Sequence, residues 1–226
     1  MVPARLVYGR KPLTPIDVLL DSPATRQALS FLKALFREHH LVSPEVVNYT
    51  WDLSAQVFAS GNAAMAIGGT YESFFIRENA GWDEAEFLEK VGFVPIPAGP
   101  TGEPTTLAGG MNYVLYHQSQ SVEKSLTMLK MTVEADILKP FCVRTGQIPA
   151  QAQIAHSLSQ DEPGFVAKTI PLLERARTRP SLPGFARVSA QFRGLIEDCL
   201  TDRRSIDQAV TLTSEKITAI TDLPLG

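Results

Sequence analysis

Cysteine is nearly missing from this sequence: its 226 residues include two, Cys142 and Cys199. A disulfide-built scaffold is therefore excluded. Both sit in apolar, helix-like surroundings that suit buried thiols, and one bridge stays open if the compartment oxidises. Histidine is scarce too, at four residues. His39 and His40 are adjacent and cannot face one metal from a helix, and His117 and His156 stand alone. A zinc site needs three or four converging ligands, so no metal is expected. An excess of one charge is also lacking, with Lys+Arg 21 against Asp+Glu 24 and a net charge of −3. Nothing drives the chain toward nucleic acid or an anionic membrane. No run approaches the roughly 18 apolar residues that span a bilayer. The opening MVPARLVYGRKPLTP shows no apolar stretch followed by a small-residue cleavage site, so on its own it predicts no exported leader.

Catalytic signatures are missing in the same way. There is no Gly-x-Gly-x-x-Gly after a strand, no Walker lysine and no Gly-x-Ser-x-Gly elbow. The GPTG at 99–102 has the look of a phosphate loop, but its Gly/Pro content and lack of a following helix start make it a turn. Acidic pairs such as Glu84/Glu86 and Glu197/Asp198 read as solvated helix faces. The arginines 175, 177, 179, 187 and 193 are offset by Glu174, Glu197 and Asp198 and read as surface. No enzyme and no cofactor are expected.

What is present is an average globular composition, 44% hydrophobic and 20% charged, in a length that suits one large domain or two small ones. Asp21 or Ser22 can cap a helix that opens with Pro23 and carries Ala28, Leu29, Leu32, Leu35 and Phe36 on one stripe. Asp52 can cap a short helix through Phe58 that Gly61 stops. Ala63–Ile67 reads as a short buried strand, and Val91–Pro97 and Met111–Tyr116 as two more. Further helices are expected at about 71–78 and 83–90. Another opens at Ser121, with an inner face of Val122, Leu126, Leu129 and Val133, and the next runs through Phe141 to Gly146. Helices at 151–158 and 165–177 follow, the second split by Pro171. Two well-marked helices close the chain. The first bears Val188, Phe192, Leu195, Ile196 and Cys199 on one face, and the second opens with a Ser205/Gln208 capping box. Strands separated by many helices predict a helix-rich α/β fold.

Three ordered segments carry a resemblance. Asp21-Ser22-Pro23 opens a helix, followed by Trp51-Asp52 and the run Phe58-Ala59-Ser60-Gly61-Asn62-Ala63-Ala64-Met65-Ala66-Ile67-Gly68-Gly69. Val91-Gly92-Phe93-Val94-Pro95-Ile96-Pro97-Ala98-Gly99-Pro100 with Gly102 precedes Gly109-Gly110 and an apolar segment. Arg179-Pro180-x-x-Pro183-Gly184-Phe185 precedes a helix, then Ser205-Ile206-Asp207-Gln208-Ala209. Together they cover nearly the whole chain, which resembles the extracellular solute-binding proteins of family 1, the maltose-binding-protein-like components of sugar ABC importers.

The resemblance implies a type II periplasmic-binding-protein fold, one lobe nearly complete plus part of the other. Residues 10–92 and 146–226 would form lobe two, and 93–145 would cross to lobe one. It implies a sugar or oligosaccharide as ligand, ABC permease subunits as partners and an extracytoplasmic location, periplasmic or as a membrane-anchored lipoprotein. Family members are longer, so the chain is expected to be the C-terminal portion of such a protein. The rival expectations are a non-functional or interaction-only fragment and an enzyme of unrecognised type.

Sugar recognition needs aromatic planes and fixed polar groups. Tyr71, after Gly68-Gly69-Thr70, is the first candidate for stacking, and it also reads as a half-buried helix-start residue. Trp51 is the second, and it also reads as core. Gly109 and Gly110 would let backbone amides approach a ligand, with Met111 and Asn112 beside them, or they form a plain turn. Glu72, Arg144 and Arg179 can bond hydroxyls or serve in surface ion pairs. Trp82 reads as surface structure.

Overall fold

Ser22 adopts an extended backbone and its Oγ accepts the Thr25 amide, so helix α1 (Pro23–Lys33) opens as its cap and its proline dictate. In this computed structural model, which describes residues 18–100, 102, 104–161 and 164–225, the elements run in chain order as follows. After α1 come α2 (Trp51–Ala59), α3 (Glu72–Ala80) and α4 (Glu84–Lys90). Strand β1 (Thr106–Ala108) leads to α5 (Val122–Thr132), α6 (Ala135–Thr145), α7 (Ala152–Asp161) and α8 (Phe165–Thr169). Strand β2 (Ala176–Thr178), α9 (Phe185–Leu200) and α10 (Ile206–Thr221) complete the chain. The described residues fall into two compact units, one spanning 50–179 and the other combining 18–49 with 180–225.

The 18–49/180–225 unit is a packing of α1, α9 and α10. Its core joins Leu29 with Val188, Leu195, Cys199, Ala209, Val210 and Ile217. Leu195, 1% exposed, contributes about 1.5–3 kcal/mol by burial alone. The capping box forms as expected, Ser205 Oγ accepting the Gln208 amide and the Gln208 side chain accepting the Ser205 amide. Val18 bridges to Leu225 in parallel, its amide donating to the Pro224 carbonyl at 2.8 Å. Arg26 pairs with both Asp21 and Asp207 at 2.6 Å. Phe192, expected on the inner face of α9, is exposed.

The 50–179 unit has two apolar centres. Ala55, Ile76, Phe87 and Phe165 tie α2, α3, α4 and α8 together, with the Phe87 and Phe165 rings edge to face at 5.3 Å. Cys142, Ile154, Ala155, Leu158, Val166 and Ile170 tie α6, α7 and α8. Asp83 and Glu86 form a second capping box at α4. Gly146 closes α6 at φ +68°, a left-handed value that glycine adopts without a Cβ penalty. Both cysteines are free and buried, and burial pushes the Cys142 thiol up to about 11.

Several expectations fail here. Ala63–Ile67, Val91–Pro97 and Met111–Tyr116 are irregular instead of stranded, with Met65, Ile67, Val94, Met111, Val114 and Tyr116 exposed. A buried parallel strand exists only where neighbours complete its ladder on both sides, and among the described residues no strand pairs with these segments. The intended inner face of α5 is likewise open, with Val122, Leu126 and Val133 exposed. The helix expected to reach residue 177 yields to a 3-10 turn over Ile170–Arg175, where Pro171 interrupts it, and then to β2. Asp52 lies in the first turn of α2, and Thr50 takes the cap position. Trp82 is half-buried against the Phe87 centre. Of the 99–102 segment, the Gly102 amide donates to the Gly99 carbonyl at 2.9 Å, the bond that a turn makes.

Candidate functional site

Gly68 and Gly69 leave their Cα surface bare, and the next side chains use it. A Cβ on Gly69 would overlap the Tyr71 ring, and one on Gly68 would overlap the Glu72 carboxylate. Tyr71 therefore lies back over Gly69 at the start of α3, 37% exposed. Trp51, at the first position of α2 and 53% exposed, meets Tyr71 edge to face with ring centroids 6.0 Å apart. Its other neighbour is Phe75, at 4.9 Å and 72°. Sequence reasoning missed Phe75, although Tyr71 and Phe75 stand four apart, the helical spacing at which side chains share a face. Edge-to-face pairs of this kind add about 0.5–1.5 kcal/mol beyond area burial.

Unlike Tyr71 and Trp51, Glu72 is buried, at 6% exposure. Its amide donates to the Gly69 carbonyl at 3.0 Å, and its carboxylate lies in the space that a Cβ on Gly68 would fill. Burial raises its pKa above the ordinary carboxylate range, with the Gly69 backbone pulling the other way. Desolvation also raises the Tyr71 phenol, Glu72 adds to the rise, and the positive charge of Arg179 opposes it. From the far side of the loop, Gly146 closes in: a Cβ there would overlap the Thr70 carbonyl oxygen and Ser73 Oγ.

The Thr106–Ala108 and Ala176–Thr178 strands pair in parallel, with Ala108 opposite Thr178. Gly109 and Arg179 are thus the next residues at the same carboxyl end of this two-stranded sheet. Gly109, Gly110, Met111, Asn112 and Arg179 are all exposed. The positive charge of Arg179 acts on the Tyr71 phenol. Arg144 is placed through its backbone, its carbonyl accepting Arg77 Nη2 at 2.7 Å, and its side chain is exposed. The structure brings Trp51 and Tyr71 together beside Glu72 at the glycine loop, and sets Gly109 and Arg179 at one end of the small sheet. Glu72 turns inward on the loop, contrary to the expectation of a surface ion-pairing residue. No three-ligand cluster of His, Cys, Asp or Glu for a metal occurs among the described residues.

The profile of a family described as bacterial extracellular solute-binding protein matches residues 5–131, more than half of the chain. The chain belongs to this family. Maltodextrin-binding protein MdxE of Bacillus subtilis is 23% identical over 216 residues, covering 93% of this chain and 50% of MdxE. Among solved structures, T. maritima MalE3 with maltose bound superposes with a TM-score of 0.77 at 22% identity, over 93% of this chain and 54% of that one. An ABC-transporter solute-binding protein of Thermotoga lettingae bound with α-D-tagatose gives a TM-score of 0.74 at 21% identity, covering 89% and 50%. The fold is that of the periplasmic sugar-binding proteins, helix-rich α/β with a small sheet. The chain spans about half the length of these relatives. The proteins it resembles bind solutes; they are not enzymes. Among the described residues no helix is long and apolar enough to cross a membrane.

Proposed function

We propose that this chain carries part of the ligand surface of a sugar-binding component of an ABC importer. The observation that supports the reading most directly is the open aromatic pair of Trp51 and Tyr71 on the glycine loop, with the charge of Arg179 acting on Tyr71. A pyranose presents apolar C–H faces to aromatic rings and hydroxyls to charged or backbone groups. In this reading Tyr71 stacks on the sugar and Trp51 flanks it. Arg179 and the amides of Gly109 and Gly110 meet hydroxyls, with Met111 and Asn112 alongside. Arg144 is an outer contact. Ligands of parallel sheets bind at the carboxyl ends of the strands, where Gly109 and Arg179 stand.

The complete protein would close two lobes about a hinge around its sugar and present the closed form to membrane permease subunits, outside the cytoplasm. Residues 10–92 and 146–226 would belong to lobe two, and 93–145 would cross to lobe one. A second reading, an interaction-only chain, draws on the exposed apolar segments at 63–67 and 111–116, which suit a covering polypeptide.

The test is titration of the chain with maltotriose, read by Trp51 fluorescence in a Trp82→Phe background. Tyr71→Ala is expected to weaken binding about tenfold, the loss of roughly 1–1.5 kcal/mol of stacking. Undiminished affinity in a folded Tyr71→Ala protein removes Tyr71 from the site.

A further inference from the structure

The apolar stripe on α5 and its cap residue reads the same from either end. Val122, Leu126, Leu129 and Val133 are spaced four, three and four apart, so the run taken backwards from Val133 meets Val, Leu, Leu and Val at the same intervals. On a helix those intervals put all four on one side. Val122, Leu126 and Val133 are exposed and Leu129 is half-buried, so among the described residues nothing covers the stripe as a whole. Exposed apolar surface continues into α6 at Ile137 and Phe141.

The residues beside the stripe are patterned too. Glu123 in the first turn of α5 and Lys130 in its last stand seven apart, close to two helical turns, and so share one flank of the stripe. Both are exposed, and among the described residues no ion pair reaches either. The opposite flank carries Ser125 and Thr132, uncharged and half-buried. As a heptad, Leu126 and Val133 hold a positions, Val122 and Leu129 hold d positions, Glu123 and Lys130 hold e positions, and Ser125 and Thr132 hold g positions.

Two copies of such a helix have one alignment that uses every feature. Placed antiparallel about a two-fold axis, Leu126 of one copy packs beside Leu129 of the other, and Val122 beside Val133. The same alignment brings like flanks together, e against e and g against g. Glu123 of each copy then meets Lys130 of the other, and the uncharged flanks meet over Ser125 and Thr132. A parallel alignment sets e against g and leaves both charges unpaired. A two-fold interface has to be self-complementary. A palindromic stripe with opposite charges at the two ends of one flank meets that condition.

We propose that α5 is a self-association face, joining two copies of this chain through an antiparallel α5–α5 contact fixed by two Glu123–Lys130 pairs. The proposal is independent of sugar binding. An acidic residue in the first turn of a helix and a basic one in its last also suit the helix dipole within a single copy. The experiment separates that role from pairing.

Sedimentation equilibrium of the 226-residue chain, from about 1 to about 100 μM, reads the dimer directly. The parent should dimerise within that range. Glu123→Lys sets lysine against lysine and Lys130→Glu sets glutamate against glutamate, and each should weaken the dimer about tenfold. The double variant Glu123→Lys/Lys130→Glu restores opposite charges across the contact and should recover the parent's affinity. On the helix dipole alone it would be the worst of the three, so recovery marks pairing between copies. An equimolar mixture of the two single variants should form a heterodimer more tightly than either variant pairs with itself. A chain that stays monomeric at about 100 μM leaves the stripe to a different polypeptide and overturns the proposal. A double variant that associates no better than the single ones overturns it too. Association that ignores both single reversals runs through another apolar surface, such as 63–67 or 111–116, and overturns it as well.

Discussion

Replacing Gly146 by alanine probes the joint between α6 and the Tyr71 loop, and its cost has two separable parts. The backbone sits at φ +68°, where an L-residue costs about 1–2 kcal/mol. The new Cβ would also overlap the Thr70 carbonyl oxygen and Ser73 Oγ, and Thr70 is backbone that cannot swing aside. Overpacking of that kind costs about 1–3 kcal/mol more, for a total near 2–5 kcal/mol. Gly61 supplies the control: its φ is +75° and nothing lies within 4 Å of its would-be Cβ. Gly61→Ala should therefore cost only the first part, about 1–2 kcal/mol. Both tryptophans, Trp51 and Trp82, lie in the 50–179 unit, so urea unfolding read by their fluorescence reports that unit alone. The Gly146→Ala midpoint should fall well below that of Gly61→Ala, and Trp51 emission of the folded Gly146→Ala protein should shift. Equal midpoints for the two variants would refute the claim that α6 is seated on this loop.

Other outcomes follow from exposure and burial. The open apolar side chains Met65, Ile67, Val94, Met111 and Val114 should make the native chain enhance the fluorescence of anilinonaphthalene sulfonate; a cooperatively melting monomer that ignores the dye contradicts this. With its thiol raised to about 11, Cys142 is ionised in about one molecule per thousand at pH 8, and burial raises Cys199 as well. Both thiols should resist a disulfide reagent until urea unfolds the chain, so stoichiometric labelling of the native protein within a minute would contradict their burial.

Helix boundaries were legible where the signal is local. Ser22 with Pro23, the Ser205/Gln208 box, and the glycines at 61 and 146 each act within one turn of the chain, and each appears where the residues require it. The family was legible too, because glycine-and-aromatic spacing around 58–71 survives without any contact being known. The aromatic pair was half-legible: Tyr71 and Trp51 were marked, while Phe75 was passed over despite its four-residue spacing from Tyr71.

Strands were the weakest part of the reading because a strand is a relation between distant segments. Thr106–Ala108 is a strand only because Ala176–Thr178 pairs with it across nearly seventy intervening residues. The more apolar runs at 63–67, 91–97 and 111–116 meet no such partner among the described residues and stay irregular. Apolar composition marks a segment that wants burial, and ladder hydrogen bonds decide whether it becomes a strand.

The order of amino acids by itself determined many of the helix ends and the family, since these depend on neighbours a few positions apart. Only the tertiary structure decided which apolar faces are covered, that Gly109 and Arg179 leave one sheet end together, and that Glu72 folds inward onto Gly68 while Tyr71 beside it stays open. Burial and charge environment are set by segments that meet in space, and sequence spacing carries no record of that meeting.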